Sequence, residues 1–232
     1  MKQFPLDLPP GRAPALGRAD FLVSGCNEAA LGAIERWPGW PAPTLVLSGP
    51  PRSGKSHLAQ LWCGRAGGRL VPGEALAQTP PDWLARQGAV AADDADRAPE
   101  EALLHLYNCC VETGASLLVV AREAPASWPF ALADLASRLR AAPAVAIAAP
   151  DDRLLAGVLV KHFADRQLRV APEVVSFLLP RMERSFAAAA ALAVRLDTVS
   201  LGLQRPITIA LARRVLEEPA GQLSLPSDFG VA

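Results

Sequence analysis

Cysteine is scarce in this 232-residue chain: Cys26, Cys63, Cys109 and Cys110 are irregularly spaced and form no CxxC pair. That excludes a disulfide framework and a cysteine-based zinc site, and it predicts reduced thiols in a cytoplasmic protein. Cys109 and Cys110 fall in a helical pattern and read as packed rather than reactive thiols. Histidine is equally sparse. Neither His105 nor His162 has the carboxylate–histidine spacing of a metal site, and both read as structural. An excess of one charge is also missing, since 23 Lys and Arg balance 23 Asp and Glu. A broad grip on nucleic acid needs a basic excess to displace counterions, so the balance leaves room only for a local patch. The tryptophans are scattered, without the basic–aromatic interleaving of a single-strand binder. Long apolar runs are absent as well. Met1-Lys2-Gln3-Phe4-Pro5 opens a proline-rich stretch with no signal-peptide core, and 141–150 is too short to span a bilayer. Secretion and membrane insertion are excluded on this reading.

What is present is a change of pattern along the chain. The first twenty residues carry Pro5, Pro9, Pro10 and Pro14 and read as an extended tail. Apolar runs at 44–48, 89–92, 116–121 and 145–148 read as buried strands. Helical spacing appears at 27–37, 56–63, 100–113 and 130–139. The proline-rich stretch 72–88 gives no clear element. Alternating strand and helix predict an α/β domain, a parallel sheet covered by helices. From 151 to 218 nearly everything reads helical: 152–163, 172–181, 185–201 and 207–217. The predicted organisation is therefore a tail (1–19), an α/β nucleotide-binding core (20–150), a small all-helical lid domain (151–218) and a second tail (219–232).

The strongest motif is Gly49-Pro50-Pro51-Arg52-Ser53-Gly54-Lys55-Ser56, which satisfies GxxxxGK[ST] at all four fixed positions. A strand enters it and a helix leaves it. Loop amides and a helix N-terminus can then cradle phosphate oxygens, with Lys55 on the β and γ phosphates and Ser56 on magnesium. The ligand is ATP or ADP with Mg²⁺. His57 follows in the first helical turn. It joins the nucleotide-contacting set, and a packed core histidine is the other reading. Ala89-Val90-Ala91-Ala92-Asp93-Asp94, an apolar strand ending in acids, fits a Walker B element. Asp93 would hold magnesium, and Asp94 would polarise water or complete the acidic end. Arg138, at the end of a helix, is placed to reach a nucleotide on a neighbouring subunit.

Together these residues resemble the DnaA/Hda branch of the AAA+ ATPases. Lys55-Ser56-His57-Leu58-Ala59 is similar to that branch's GK[ST]HL, and Asp93-Asp94 to its doubled aspartate. Phe21-Leu22-Val23, Gly25, Asn27 and Ala30 resemble the segment that packs near adenine. Ser137-Arg138-Leu139 resembles the arginine-finger element, and Pro150-Asp151-Asp152 the start of the lid. The resemblance covers roughly 20–218 and implies an AAA+ P-loop core with a helical lid. No stretch remains for the initiator's DNA-binding helix-turn-helix domain, which matches the branch's short regulatory members. For those it implies inactivation of the DnaA initiator, by stimulating hydrolysis of initiator-bound ATP while tethered to the polymerase III sliding clamp (its β subunit). DNA would be contacted indirectly, through the clamp, and a homodimer or oligomer is compatible.

The tails fit that picture. Gln3, Phe4, Leu6 and Leu8, within Gln3-Phe4-Pro5-Leu6-Asp7-Leu8, resemble the branch's clamp-binding peptide, with Phe4 replacing the usual leucine. Gln222-Leu223-Ser224-Leu225-Pro226 is a second copy of the pattern or a chance match in a polar tail. Two positions depart from the family. Arg122 stands where sensor 1 usually has a small polar or acidic residue, and Ala187 falls at the sensor-2 arginine. Arg184, one helical turn earlier, is the candidate substitute. Altered sensors imply weak intrinsic ATP hydrolysis. Two other functions share these features: a DnaA-interacting adaptor that promotes initiation, and a nucleic-acid-stimulated ATPase of helicase-loader type.

Overall fold

A computed structural model describes residues 17–217. The elements are α1 (Glu28–Glu35), β1 (Thr44–Ser48), α2 (Lys55–Ala66), β2 (Arg69–Pro72), α3 (Pro81–Ala85), β3 (Ala89–Asp93), α4 (Glu100–Thr113), β4 (Ser116–Ala121), α5 (Ala133–Ala141) and β5 (Ala144–Ala146). Four more helices follow: α6 (Asp152–Asp165), α7 (Pro172–Leu178), α8 (Phe186–Leu203) and α9 (Ile209–Glu217). The five strands form one parallel sheet in the order β2-β3-β4-β1-β5.

The continuous apolar runs of the central strands follow from burial on both faces. Leu45 and Leu47 of β1, with Leu118 and Val120 of β4, point to the layer of α1 and α2. Val46, Leu117 and Val119 point the other way, toward α3, α4 and α5. This period of two puts every residue of β1 out of water. Each such leucine or valine contributes about 1.5–3 kcal/mol through burial. On the first face Trp62 is fully buried, with Trp40 stacked on it at 5.2 Å and Trp37 edge-on at 6.1 Å.

The lid has its own core, made by Leu155, Leu159 and Phe163 of α6, Leu178 of α7, Ala193 and Leu196 of α8, and Ala212 and Val215 of α9. Side-chain caps start α6 and α8. Asp151 accepts the Leu154 amide at 2.6 Å, and Ser185 accepts that of Ala188 at 3.0 Å. By composition α8 is long and apolar enough to cross a bilayer, but its Ala189–Ala193–Leu196 face forms the lid core.

The structure adds two elements inside and beside the stretch that read as featureless. β2 is an edge strand with only Val71 buried, so it lacks an apolar run. α3 starts with Pro81 at its first position and spans little more than one turn. Predicted bounds shift elsewhere: 130–139 becomes Ala133–Ala141, and 145–148 becomes Ala144–Ala146. Arg18–Asp20 forms a short 3-10 turn where the tail was expected to be extended. Cys63 and Cys110 are buried, and burial pushes their thiols up to about 11 and about 12. Cys109 is only half-buried, so the packed reading of the pair holds for Cys110 alone.

Between α2 and β2 the chain passes so close to β3 that a Cβ on Gly68 would lie 2.4 Å from the Ala89 carbonyl oxygen. Gly64, on α2, faces open space. Gly68→Ala is therefore expected to destabilise by about 1–3 kcal/mol, and Gly64→Ala to stabilise by roughly 0.5–1 kcal/mol. Denaturant unfolding followed by circular dichroism checks both.

Candidate nucleotide site

The GxxxxGKS segment forms the turn between β1 and α2. Gly49 donates to the Arg122 carbonyl oxygen at 3.2 Å, and a Cβ there would come within 2.9 Å of Ile147. Gly54 sits at φ 92° with its open side against the Phe21 ring, 2.9 Å from where a Cβ would lie. Both fixed glycines are thus demanded by close approach, the second also by backbone conformation. Leu58 donates the first intrahelical bond of α2, to Gly54 O at 3.0 Å. The amides of Lys55, Ser56 and His57 precede it and form the exposed positive end of the helix.

Lys55 is only 6% exposed. Its Nζ donates to the carbonyl oxygens of Gly49 (2.7 Å) and Pro50 (2.9 Å), so the cation lies across its own loop. The Ser53 hydroxyl is buried with no hydrogen-bond partner. A buried polar atom left unsatisfied in a phosphate-type loop is what a missing anion would explain. Ser56 is exposed beside it.

Asp93 ends β3, and its Oδ1 accepts the Asp94 amide at 3.0 Å. Asp94 adopts the left-handed conformation, φ 48°, which a non-glycine residue holds only when its surroundings enforce it. Gly73 packs against it: a Cβ there would lie 2.5 Å from the Asp94 carbonyl oxygen. The acids face the lysine. Burial lowers the Lys55 pKa, the fields of Asp94, Asp93 and Asp96 oppose that shift, and the Arg122 guanidinium reinforces it. Arg122 itself pairs with Asp96 at 3.9 Å. The motif residues therefore converge into one charged cluster. Among the described residues no group of three His, Cys, Asp or Glu forms a metal cage. Asp93 and Ser56 are the oxygen donors suited to a magnesium that keeps most of its own waters.

Beside the loop, a cavity of about 170 Å³ opens between core and lid. Phe21, Leu22, Leu154, Val158 and Phe186 make its apolar wall, and Arg52, Ser53, Gly54 and His57 its loop side. His57 meets Phe21 edge-on at 5.4 Å, and its Nε2 contacts the Gly17 carbonyl oxygen at 3.0 Å. Pro50 is half-buried, Pro51 is exposed, and neither lines the cavity. Sequence reasoning missed the lid's contribution. Leu154, Val158 and His162 lie four apart on one face of α6, with Lys161 adjacent. That periodicity was legible, but no motif marks it. His162, read as structural, lines the cavity.

Two predicted residues lie elsewhere. Arg184 does not line the cavity but pairs with Asp152 at 2.5 Å, both side chains being well exposed. Arg138 stands on α5, held by Asp134 through two hydrogen bonds of 2.8 and 3.1 Å, with its guanidinium 5.5 Å from the Tyr107 ring centroid. The bond to Asp134 raises its pKa, and the same bond lowers that of Asp134. Gln3, Phe4, Leu6 and Leu8, and likewise 222–226, lie outside the described residues.

Comparison with known proteins fits this geometry. Residues 152–216 match the family model described as Hda, lid domain. Domain III of the replication initiation protein DnaA from Thermotoga maritima superposes with a TM-score of 0.72 at 15% identity, over 88% of this chain and 97% of that one. AMPPCP-bound DnaA from Aquifex aeolicus gives 0.59 at 16% identity, over 78% and 64%. The RuvB Holliday junction branch migration motor of Thermotoga maritima gives 0.65 at 14% identity, over 88% and 72%. At these identities the likenesses establish the fold alone, a parallel α/β core followed by a helical domain.

The burial of Lys55 has a measurable consequence. A lysine whose pKa is lowered in the folded state carries a penalty while charged, and the penalty fades as it deprotonates. Relative to Lys55→Met, wild-type stability should rise with pH on approach to the ordinary lysine value of 10.5. Parallel urea titrations across alkaline pH check it, and a flat difference would contradict it.

Proposed function

We propose that this chain, a DnaA/Hda-type AAA+ protein by its fold and its lid, is a nucleotide-binding regulator that inactivates the replication initiator DnaA. The observation that carries the reading is an Hda-type lid beside a phosphate loop in which Lys55 and Ser53 are buried. Lys55, the Ser53 hydroxyl and the free amides of α2 would hold the phosphates of ADP or ATP. Ser56 and Asp93 would hold magnesium, and Asp94 would complete the acidic end. The bound magnesium nucleotide supplies a polyanion that fixes the angle between core and lid.

Intrinsic turnover is weak on this reading. Arg122 occupies the sensor-1 position, Arg184 is engaged with Asp152, and Ala187 has no charge to offer. Steady hydrolysis by the isolated protein should stay well below about 1 per second, the lower edge of ordinary enzyme rates.

The activity is exerted on the partner. Arg138 lies at the surface, and Asp134 holds its guanidinium until a stronger anion competes for it. Presented to ATP on the initiator, it would stabilise charge on the transferring phosphoryl group, as arginines supplied in trans do. Gln3, Phe4, Leu6 and Leu8 would tether the protein to the sliding clamp of polymerase III, so DNA is reached through the clamp. Cytoplasmic location follows from that role, and 222–226 could add avidity on a multimeric clamp.

The test is ATP hydrolysis by the cognate initiator, with and without this protein and clamp loaded on DNA. Strong stimulation is expected, lost in Arg138→Ala with clamp binding intact, and lost in Gln3→Ala together with clamp binding. Clamp binding without stimulation by the wild type would overturn inactivation in favour of an adaptor that promotes initiation.

A further inference from the structure

The cavity between core and lid holds about 170 Å³. That is well below the roughly 300–1,000 Å³ of a pocket for a whole small ligand. It suits one flat ring, with the rest of the ligand outside in the open phosphate loop. Apolar side chains from both parts, Phe21 and Leu22 from the core and Val158 and Phe186 from the lid, give such a ring a surface to pack on.

A ring so held is distinguished by its polar edge, and most polar side chains around the cavity are already engaged. Asn27 donates to the Leu22 carbonyl oxygen at 2.8 Å and accepts the Ser24 amide at 2.9 Å. His57 contacts the Gly17 carbonyl oxygen. Asp20 pairs with Lys161 at 3.8 Å, and Lys161 pairs also with Asp165 at 3.6 Å. Arg52 and Ser53 have no hydrogen-bond partner among the described residues, but both belong to the phosphate loop, on the side of the ligand's phosphates. The ring nitrogens of His162 make no hydrogen bond within the described residues. The Asp20–Lys161 pair ties the N-terminal turn to α6, one residue from His162, and Leu22 seats 3.1 Å from where a Cβ on Gly157 would lie. The helix face carrying His162 is thus fixed against the core.

We propose that His162 is the lid's direct contact with the nucleotide and reads the polar edge of a purine base held in this cavity. The contact expected of Arg184, which lies just before α8, comes instead from α6. Burial keeps the imidazole neutral, helped by the fields of Arg166, Arg52 and Lys161 and opposed by Asp165. A neutral ring offers one donor and one acceptor, which matches a purine edge. Lys161 and Asp20 are positioning residues.

The inference rests on the nucleotide reading of the phosphate loop, and calorimetric titration separates the two. Mg-ADP and inorganic tripolyphosphate, which has phosphates and no base, are titrated into the full chain and four variants. His162→Ala should weaken ADP roughly three- to tenfold, the scale of one lost neutral hydrogen bond. It should leave tripolyphosphate affinity and the ligand-free Tm unchanged. His162→Gln, which keeps a donor and an acceptor, should recover most of the loss, and Arg184→Ala should bind ADP as wild type does. Equal weakening of ADP and tripolyphosphate by His162→Ala would overturn the base contact, as would wild-type ADP affinity in that variant. Lys55→Ala is the control on the site itself. If it binds ADP as tightly as wild type, the phosphate-loop reading fails and the base contact with it.

Discussion

β1 leaves the sheet between two parallel neighbours, β4 and β5, and only bare backbone fits there. The amide of Gly49 is taken by the carbonyl at the end of β4, and the volume of its absent side chain is filled by Ile147 beyond β5. The chain must therefore turn at that point. The turn delivers Gly54 beneath Phe21 and starts α2 with Lys55 in the field of the acids at the end of β3. Phe21 in turn lines the cavity that the lid completes. Site geometry follows from a strand order that places the phosphate loop at mid-sheet, outside the carboxyl ends of the strands, where ligands of open α/β sheets bind.

The same turn concentrates charge where burial penalises it. Lys55 is nearly sealed, has two carbonyl oxygens as partners, and faces three carboxylates whose fields partly offset the loss of hydration. Arg122 works against it from the end of β4. A cluster of this kind is poor as a stability device, because a buried charge is tolerated at a cost and strained backbone at Asp94 adds to it. Such a cost is ordinary at a site organised for an anion.

What could be read beforehand was what depends on neighbours in sequence. The spacing of Gly49, Gly54, Lys55 and Ser56 marks a loop between a strand and a helix by itself, although the groups that demand the two glycines, Ile147 and Phe21, are distant in sequence. The lid helices were legible as near-continuous helical spacing, and the structure adds the caps Asp151 and Ser185 at the starts of α6 and α8. β2 was not, since an edge strand with one buried residue has no pattern to find. Arg184 illustrates the other limit. It was read as one helical turn before Ala187, but α8 begins only at Phe186, and its partner Asp152 lies 32 residues away with nothing local to announce the pairing. The cavity drew on four separated segments, and α6 contributed without any motif.

The tryptophans carry a final consequence. All five, Trp37, Trp40, Trp62, Trp83 and Trp128, lie in the α/β part, and the helices from α6 to α9 have none. Two of them, Trp37 and Trp40, pack on the buried ring of Trp62 beside the sheet. Intrinsic indole emission is therefore an optical reporter of one half of the molecule. Melting of the lid alone would leave that signal largely dark to the event while helical ellipticity fell, so the two halves can be watched separately in an unlabelled chain.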